Sequence, residues 1–410
     1  MTIMRDAPID GPEFRPLRER VEAEAYVASV CFKHGPPRLT GVELEWTVHH
    51  VNDPSRQLTA DLLVKALDQH TPRTLRDDSP HLPLPGGSPL SAEPGGQVEI
   101  SAQPKESLTA LHATVTADTG HLADLLAAQG LELGSSAIDP YRTPRRMLDT
   151  PRYAAMEQAF QPLGTDGITM MCSTAGFQLC VDVGERQDLA ARWAAVHLLG
   201  PPLAALFANS PWMLGRTTGW ASNRLRAVLG TDPTRTYPSR IDDDPAAGWA
   251  RRVLDTPLLC VRREGRCWEA PRGVTFADWI NGALDRAPTV GDLEYHLSTL
   301  FPPVRAQGYL EIRYIDAQQG DNWLSPAALL VALLATPAQV DAVIDVCTPV
   351  ADRWLKAARD GLGDPAIAKA ATRVAEIGLA GLGATGLSAG LADQVTGDIE
   401  RRLREKRDQV

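Results

Sequence analysis

Residues 41–48 read Gly-Val-Glu-Leu-Glu-Trp-Thr-Val, and the interpretation of the fold starts from this stretch. Successive side chains of a β-strand point to opposite faces of the sheet. One face of this segment is therefore apolar and carries Val42, Leu44, Trp46 and Val48. The other face carries Glu43 and Glu45, about 7 Å apart along the strand. Such alternation predicts an antiparallel strand with one face against the core and a carboxylate-bearing face opposite.

Three further segments alternate in the same way, with polar side chains on one face. These are residues 97–101 with Gln97, Glu99 and Ser101, residues 177–183 with Gln178 and Asp182, and residues 309–314 with Glu311 and Arg313. A face that is only solvated usually mixes signs, yet these four strands offer four Glu, two Gln and no Lys. If the strands lie side by side, the carboxylates crowd together and repel. A divalent cation such as Mg²⁺, which takes oxygen ligands and bridges carboxylates to ATP phosphates, would relieve this repulsion. Simple solvation of each face would be the ordinary explanation.

The remaining pattern predicts an α+β fold, because few strands are separated by helices and long loops. We expect helices over residues 15–30, 58–70, 107–129 and 189–207, and a helical region from residue 325 onward. We expect strands over residues 38–51, 97–101, 168–183 and 308–316. Residues 71–96, dense in Pro, Gly, Ser and Asp, predict a long loop of functional importance. Residues 235–272 are expected to be irregular.

Composition excludes several classes of function. The 410 residues are 44% hydrophobic and 22% charged, which is ordinary for a globular protein, and the net charge is −10. A nucleic-acid partner would require a basic surface, so none is expected, and an anionic substrate must be met by local arginines. The start of the chain, with Arg5, Asp6, Asp10 and Glu13, has no apolar signal segment. The apolar run 327–335 is too short to cross a bilayer, so we expect a cytoplasmic protein without a membrane partner.

Further sequence motifs carry little weight. The six cysteines form no Cys-x-x-Cys pair and are expected to be reduced structural thiols. Residues 381–386 fit Gly-x-Gly-x-x-Gly, but no strand precedes them, as a dinucleotide site would require. The chain has no Gly-x-x-x-x-Gly-Lys-Ser/Thr motif, so any use of ATP cannot depend on a P-loop.

Four segments taken together resemble the glutamate–cysteine ligases, in the branch shared by plants and many bacteria. They are Gly-Val-Glu-Leu-Glu (41–45), Glu-Pro-Gly-Gly-Gln-Val-Glu-Ile-Ser (93–101), Ala-Leu-Phe-Ala-Asn-Ser-Pro-Trp (205–212) and Tyr-Leu-Glu-Ile-Arg-Tyr-Ile-Asp (309–316). Residues 289–305 also fit, so the likeness covers roughly residues 35–330. Short loops and a composition rich in Ala, Arg and Gly are similar to the actinobacterial, ergothioneine-pathway members of this branch.

The resemblance implies a fold and a reaction. The fold would be a glutamine-synthetase-like funnel, a curved antiparallel sheet surrounded by helices, formed as a single catalytic domain over residues 1–410. The reaction would join the γ-carboxylate of L-glutamate to the amine of L-cysteine at the expense of ATP, with Mg²⁺ as cofactor. A γ-glutamyl phosphate would form first, because a free carboxylate is a poor acyl donor, and the product would be γ-glutamylcysteine.

The resemblance also implies roles for particular residues. The expected metal ligands are Glu43, Glu45, Glu93, Glu99 and Glu311. Catalysis would depend on Glu45 and on Arg313, which would stabilise the transferred phosphoryl group. Contacts to ATP are expected from Glu43, Gln97 and Arg313, and contacts to the amino-acid substrates from Arg224, Gln178 and Arg216. Arg224 would hold the α-carboxylate of glutamate.

The sequence departs from the plant members at one position and allows three competing functions. Plant members carry an arginine near the position of Ser173, and Arg313, Arg216 or Arg142 could substitute for it. A related ligase with a different acceptor amine would share the same metal-binding face. A guanidino kinase of the phosphagen type would share the core, and so would a non-catalytic binding protein. The sequence leads to no expectation about oligomeric state.

Overall fold

The computed structural model describes residues 12–264 and 267–407, so Arg5, Asp6 and Asp10 of the predicted signal-free start lie outside the described residues. The strands are β1 (Thr40–Trp46), β2 (Val48–His50), β3 (Leu90–Ala92), β4 (Val98–Lys105), β5 (Leu131–Leu133), β6 (Gly176–Asp182), β7 (Trp212–Met213), β8 (Arg216–Thr217), β9 (Val304–Ala306) and β10 (Tyr309–Asp316).

The helices are α1 (Arg20–Cys31), α2 (Ala60–Leu67), α3 (Leu108–Ala127), α4 (Pro151–Phe160), α5 (Asp166–Ser173), α6 (Leu189–Leu198), α7 (Gly200–Leu206), α8 (Asn223–Thr231), α9 (Pro233–Thr236), α10 (Pro245–Asp255), α11 (Phe276–Ile280), α12 (Val290–Leu297), α13 (Leu324–Leu333), α14 (Pro337–Cys347), α15 (Trp354–Asp360), α16 (Pro365–Ala380) and α17 (Ala389–Arg407). Short 3₁₀ turns join several of them. From Leu324 onward the described chain is helical, as the sequence predicts.

A six-stranded sheet in the order β3-β4-β1-β6-β10-β9 organises the molecule, and every neighbouring pair is antiparallel. This confirms the predicted mixture of helices with an antiparallel sheet. The register places Glu45 of β1 opposite Glu99 of β4. It also places Glu43 opposite Gln178 of β6. The four strands with polar faces are therefore adjacent, although they come from distant parts of the sequence.

The apolar face of this sheet belongs to the core. Val42, Leu44, Ile100, Leu179 and Ile312 are each 4% exposed or less. Helices α3 and α7 pack against strands β4 and β10. Burial of one such side chain stabilises the fold by about 1.5–3 kcal/mol. The hydrophobic effect therefore fixes which face of each strand points inward, and it leaves the carboxylates on the other face.

The expected long strand over residues 168–183 is wrong in its first part, where the chain forms helix α5 before β6 begins at Gly176. The Thr169 hydroxyl donates to the carbonyl of Thr165, and the Thr174 hydroxyl donates to the carbonyl of Met170. Both bonds run four residues back, so these threonine side chains are satisfied within a helix. The apolar run alone could not distinguish a buried helix from a buried strand.

The expectation of an irregular segment over residues 235–272 is also wrong, because α10 lies within it. The acidic residues before this helix include its N-cap, since Asp244 accepts a 3.0 Å hydrogen bond from the Ala247 amide. Pro245 occupies the first helical position, where proline is favoured. The helix expected over residues 189–207 divides at Leu199 into α6 and α7, and Pro201 and Pro202 lie in the first turn of α7.

Among the described residues, one helical stretch, Arg186–Leu206, is long and apolar enough to cross a membrane. Its most apolar part is 89% buried inside the protein. A second candidate, Gly320–Leu333 with Pro337–Val350, is bent by 108° at its break. Burial against the rest of the fold is typical of core helices in globular proteins.

Candidate active site

The polar face of the sheet lines a cavity of about 350 Å³. Its charged lining consists of four carboxylates and four guanidinium groups, namely Glu43, Glu45, Glu93, Glu99, Arg152, Arg224, Arg305 and Arg313. The glutamates come from β1, β4 and the turn before β4, whereas the arginines come from α4, α8, β9 and β10. The cavity therefore balances both signs of charge within a small volume.

Gln178 connects the charged groups at the centre of this face. Its amide nitrogen donates to Glu45 Oε1 at 2.8 Å and to Glu99 Oε2 at 3.2 Å, and its carbonyl oxygen accepts from Arg313 Nη1. Both N–H groups are thus engaged, and the side chain is 1% exposed. Gln178 lines the cavity as the sequence predicts, but here its amide orients protein side chains.

Each of the two bridged glutamates has its second oxygen held by a neighbouring strand. The Gly176 amide donates to Glu45 Oε2 at 2.7 Å, and the Ser91 hydroxyl donates to Glu99 Oε1 at 3.0 Å. The backbone of β6 and the side chain of β3 therefore fix the rotamers of these glutamates. These hydrogen bonds hold the two carboxyl groups in place, although they face each other across β1 and β4.

Glu311 lies beneath the cavity and does not line it. Arg305 binds it in a bidentate manner, with Nε 2.5 Å from Oε2 and Nη2 3.0 Å from Oε1, and Arg313 Nη1 lies 3.1 Å from Oε2. Such forked contacts are among the strongest side-chain interactions. Glu311 is 1% exposed, and both of its oxygens accept from these arginines.

The environment raises the pKa of three glutamates and lowers that of a fourth. Burial, reinforced by the neighbouring carboxylates, raises the pKa of Glu43 and of Glu93 to about 7. Burial and the charges of Glu43 and Glu45 raise the pKa of Glu99 well above its usual value. Burial alone would also raise the pKa of Glu311, but Arg305 and Arg313 lower it to about 2. A bound cation would stabilise the ionised form of the first three groups.

The turn Glu93-Pro94-Gly95-Gly96-Gln97 carries one of these carboxylates to the rim. The Gln97 side chain accepts from the Gly95 amide at 3.0 Å and donates to the carbonyl of Thr174 at 2.9 Å. A Cβ on Gly95 would lie 2.1 Å from the carbonyl oxygen of Cys172, so only glycine fits there. Gln97 lines the cavity and anchors the turn that positions Glu93, and its expected contact with ATP stays a prediction.

Arg224, near the start of α8, is buried and has an unsatisfied donor. Its Nη1 atom has no hydrogen-bond partner among the described residues, and burial lowers its pKa. A Cβ on Gly176 would lie 2.6 Å from Arg224 Nη2, so the guanidinium packs directly onto the strand beside Glu45. A buried donor of this kind is costly unless a ligand accepts from it.

The structure adds residues that the sequence pattern does not identify. Arg152 binds Ser298 through its hydroxyl and carbonyl oxygens, and with Tyr153, Met156 and Phe301 it completes the cavity opposite the sheet. Arg152, Tyr153 and Met156 share one face of helix α4, whereas Phe301 lies in a connecting loop. Arg305 ends the family-like segment 289–305, but nothing in that segment singles it out. Cys180 could have been identified from the sequence as a residue of this face, because it lies two residues after Gln178 on the same strand.

Two arginines that the sequence offers as carboxylate partners lie elsewhere. Arg216 is exposed on β8 and is not part of the cavity lining, and its contact with substrate stays a prediction. Arg142 pairs with Asp139 at 2.6 Å and donates to the carbonyl of Val48. Asp182, on the polar face of β6, accepts from the amides of Arg38 and Leu39 at the far end of the strand.

The donor set fits a hard divalent cation. Four carboxylates line the cavity, and oxygen ligands are those that Mg²⁺ and Mn²⁺ prefer. Possible ligand atoms of three of the described residues lie within 4.8 Å of one another, and they belong to Glu43, Cys180 and Glu311. Three of the lining glutamates have raised pKa values, and a cation would remove the repulsion that contributes to this.

Comparisons with known proteins agree with this geometry. Residues 39–410 match the sequence profile of glutamate-cysteine ligase family 2 (GCS2). The chain is 37% identical over 374 residues to glutamate–cysteine ligase EgtA of Mycobacterium tuberculosis, covering 88% of this chain and 84% of that protein. It is 32% identical over 273 residues to the chloroplastic glutamate–cysteine ligase of Medicago truncatula, covering 64% of this chain and 53% of that protein.

A solved structure shares the fold at low sequence identity. The crystal structure of a bifunctional glutathione synthetase from Pasteurella multocida matches with a TM-score of 0.50 at 13% identity, covering 95% of this chain and 50% of that one. The family profile covers nine-tenths of the chain, and the mycobacterial relative is similar over almost the same length. The chain therefore belongs to the glutamate–cysteine ligase family.

Proposed function

We propose that this protein is an ATP-dependent ligase that joins the γ-carboxylate of L-glutamate to the amine of L-cysteine and releases γ-glutamylcysteine. The mycobacterial and plant relatives of this chain are glutamate–cysteine ligases. The observation that carries it is the cavity itself, where four carboxylates face four guanidinium groups. Such a site suits a triphosphate with its cations and two amino-acid carboxylates.

Glu43, Glu45, Glu93 and Glu99 would hold the divalent cation, which we propose to be Mg²⁺. When bound, the cation would neutralise phosphate charge. Gln178, Gly176 and Ser91 fix the carboxylates before the ligands arrive. Glu311 would keep Arg305 and Arg313 in place and would be a further ligand of the cation.

Arg313 would stabilise the phosphoryl group as it passes from ATP to the glutamate γ-carboxylate. It lines the cavity between Gln178 and Glu311, and both contacts hold its guanidinium in place. Phosphoryl transfer depends on positioning and charge neutralisation more than on covalent help. The amine of the acceptor would then attack the γ-glutamyl phosphate and displace phosphate.

Arg224 would hold the α-carboxylate of glutamate through its unpaired Nη1 group. A guanidinium fork in a buried site binds a carboxylate in a fixed orientation. This contact would decide which of the two carboxylates reaches the phosphoryl group. Replacement of Arg224 by Lys, which retains the charge and removes the fork, should mainly raise the KM for glutamate.

The organisation of the chain is part of the same proposal. We propose that residues 1–410 act as a single catalytic domain whose sheet curves into a glutamine-synthetase-like funnel. The helical part from about residue 325 would support the outer side of the sheet. A role in ergothioneine biosynthesis, a cytoplasmic location and the lack of nucleic-acid and membrane partners are predictions from the sequence.

The test is a reconstituted reaction. Purified protein is incubated with ATP, Mg²⁺ and glutamate, with and without cysteine, and ADP and products are followed by mass spectrometry. We expect γ-glutamylcysteine only when all four components are present. If ADP forms only with another amine from an acceptor panel, the family assignment stands and the acceptor changes. If no amino-acid pair supports ADP formation, the ligase proposal is wrong.

A further inference from the structure

Two of the segments that resemble the family contain polar residues that do not line the cavity. Asn209 and Ser210 belong to the segment 205–212, and Asp316 ends the segment 309–316. The fold brings them together under the start of α8. Asp316 is 2% exposed and closes β10, three residues after Arg313.

Asp316 is fully engaged by donors from both ends of one loop. Its Oδ2 atom accepts from the Asn209 amide at 2.8 Å and from the Ser210 hydroxyl at 2.7 Å. Its Oδ1 atom accepts from the Ser222 hydroxyl at 2.8 Å. Ser210 and Ser222 also form a parallel β-bridge. One buried carboxylate thus joins the two ends of the loop formed by residues 211–221, which carries the exposed hairpin of β7 and β8.

The same two serines hold the first turn of α8. Ser222 is the N-cap and accepts from the Leu225 amide at 3.0 Å, and Ser210 Oγ accepts from the Arg224 amide at 3.2 Å. Arg224 is the second residue of this helix. Its guanidinium, packed onto Gly176 beside Glu45, therefore takes its position from a helix end that Asp316 anchors to β10.

We propose that Asp316 is a positioning residue of the ligation site, which fixes the Arg224 guanidinium by holding Ser210 and Ser222 to the end of β10. The inference rests on the proposed function of Arg224 as the carboxylate-binding group. Asp316 does not line the cavity, so its effect on substrates passes through Arg224. Arg313 and Asp316 lie three residues apart on β10. The end of β10 thus carries the arginine proposed for phosphoryl binding and the anchor of Arg224, which is proposed for carboxylate binding.

The test is the KM of each substrate in the full-length variant Asp316→Asn. Asparagine keeps the shape but turns one acceptor into a donor and removes the charge. We expect the KM for glutamate to rise about tenfold, because a small displacement of a positioning group strongly weakens an oriented contact. The KM for ATP should stay within about twofold, since Arg224 does not hold the nucleotide. Ser222→Ala, which removes one hydroxyl, should shift the same KM and serves if Asp316→Asn does not fold.

A matched control separates positioning from general stability. Asp364 caps α16 by accepting from the Ala366 and Ile367 amides at 3.0 Å each, and it contributes nothing to the cavity lining. Asp364→Asn should lower the melting temperature and leave the KM for glutamate unchanged. If Asp316→Asn loses only melting temperature as this control does, Asp316 is structural and the inference is wrong.

The variant Arg224→Lys separates this inference from the function on which it rests. A raised KM for glutamate in Arg224→Lys together with an unchanged one in Asp316→Asn overturns the inference alone. Unchanged values in both variants overturn the proposed role of Arg224, and the inference with it. A wild-type protein that makes γ-glutamylcysteine in the same assay keeps the ligase function in either case.

Discussion

Glu45 is a carboxylate of the site whose two oxygens are both held by the neighbouring strand. It accepts from the Gly176 amide and from Gln178, and it faces Glu99 across the strands. Its two oxygens are therefore aimed before any ligand binds. Preorganised charge of this kind acts strongly in a site that excludes water.

We predict that Glu45→Gln lowers the rate of ADP formation by about 100-fold or more, because it removes one charge from the carboxylate face. The free energy of unfolding should fall by about 1–3 kcal/mol, because the glutamine NH₂ would face one of the two N–H groups from which Glu45 accepts. The measurement is coupled ADP release together with urea unfolding. Glu132→Gln, at an exposed position on β5, is the matched control and should change neither quantity. Near-normal turnover of Glu45→Gln would remove Glu45 from the metal-binding set.

Gly176 provides a second prediction at the residue scale. A Cβ at this position would lie 2.6 Å from Arg224 Nη2 and 3.5 Å from Glu45 Oε2. We expect Gly176→Ala to displace the guanidinium, to raise the KM for glutamate and to lower stability by about 1–3 kcal/mol. Gly120→Ala is the control, because an added Cβ there meets nothing within 4 Å and helix α3 should gain stability. Equal effects of the two substitutions would contradict the packing argument.

At the scale of elements, the structure depends on side chains that end or begin helices. Helix α12 starts with a capping box in which Thr289 Oγ1 accepts from the Asp292 amide at 3.2 Å and the Asp292 carboxylate accepts from the Thr289 amide at 2.9 Å. Asp292 is further held by Arg286 at 2.6 Å. Helix α12 leads to the loop and strand that carry Ser298 and Arg305.

We predict that Thr289→Ala destabilises the protein by about 1 kcal/mol without changing any KM, because it removes a cap and no cavity residue. Thr275→Ala, at the equivalent capping box of α11, should have the same effect. Both changes are measured by urea unfolding and steady-state kinetics. A changed KM in Thr289→Ala alone would show that the start of α12 positions the Arg305 strand.

At the scale of the whole molecule, two histidines are kept neutral by the core. Burial lowers the pKa of His197 to about 4 and that of His296 to about 3. The unfolded chain takes up these protons below a pH of about 6.5, whereas the folded chain does not until the pH reaches about 3–4. The contribution of these two histidines to the free energy of unfolding therefore has its full value above a pH of about 6.5 and falls as the pH decreases, by about 1.4 kcal/mol per pH unit for each histidine.

His296→Gln tests this dependence. Glutamine can still donate to the Val253 carbonyl, which His296 Nε2 contacts at 2.9 Å, and it does not titrate. Between about pH 7.5 and 5.5 the variant should lose about 1.4 kcal/mol less stability than the wild type in urea unfolding. His34→Gln, at an exposed position, should follow the wild type. Parallel curves for His296→Gln and wild type would show that His296 is protonated in the folded protein.

Much of the site could be predicted because it follows from strand periodicity. The alternation in residues 41–48 already assigns Glu43 and Glu45 to one face, and the register of β1 with β4 and β6 confirms their neighbours. The prediction of a strand over residues 168–183 was wrong in its first part, because apolar runs of that length form helices as readily as strands. Whether Arg216 reaches the cavity could not be predicted either, because loop positions have no periodicity.

The sequence by itself determined the family, the antiparallel strands and the face on which each carboxylate lies, since side-chain alternation and hydrophobic burial are local properties. Only the tertiary structure decided that Gln178 bridges Glu45 and Glu99 and that Arg305 donates to Glu311. The anchoring of Arg224 by Asp316 also belongs to the tertiary structure. Most of these contacts join residues that are far apart in the sequence, and their geometry depends on how the strands pair and twist in space.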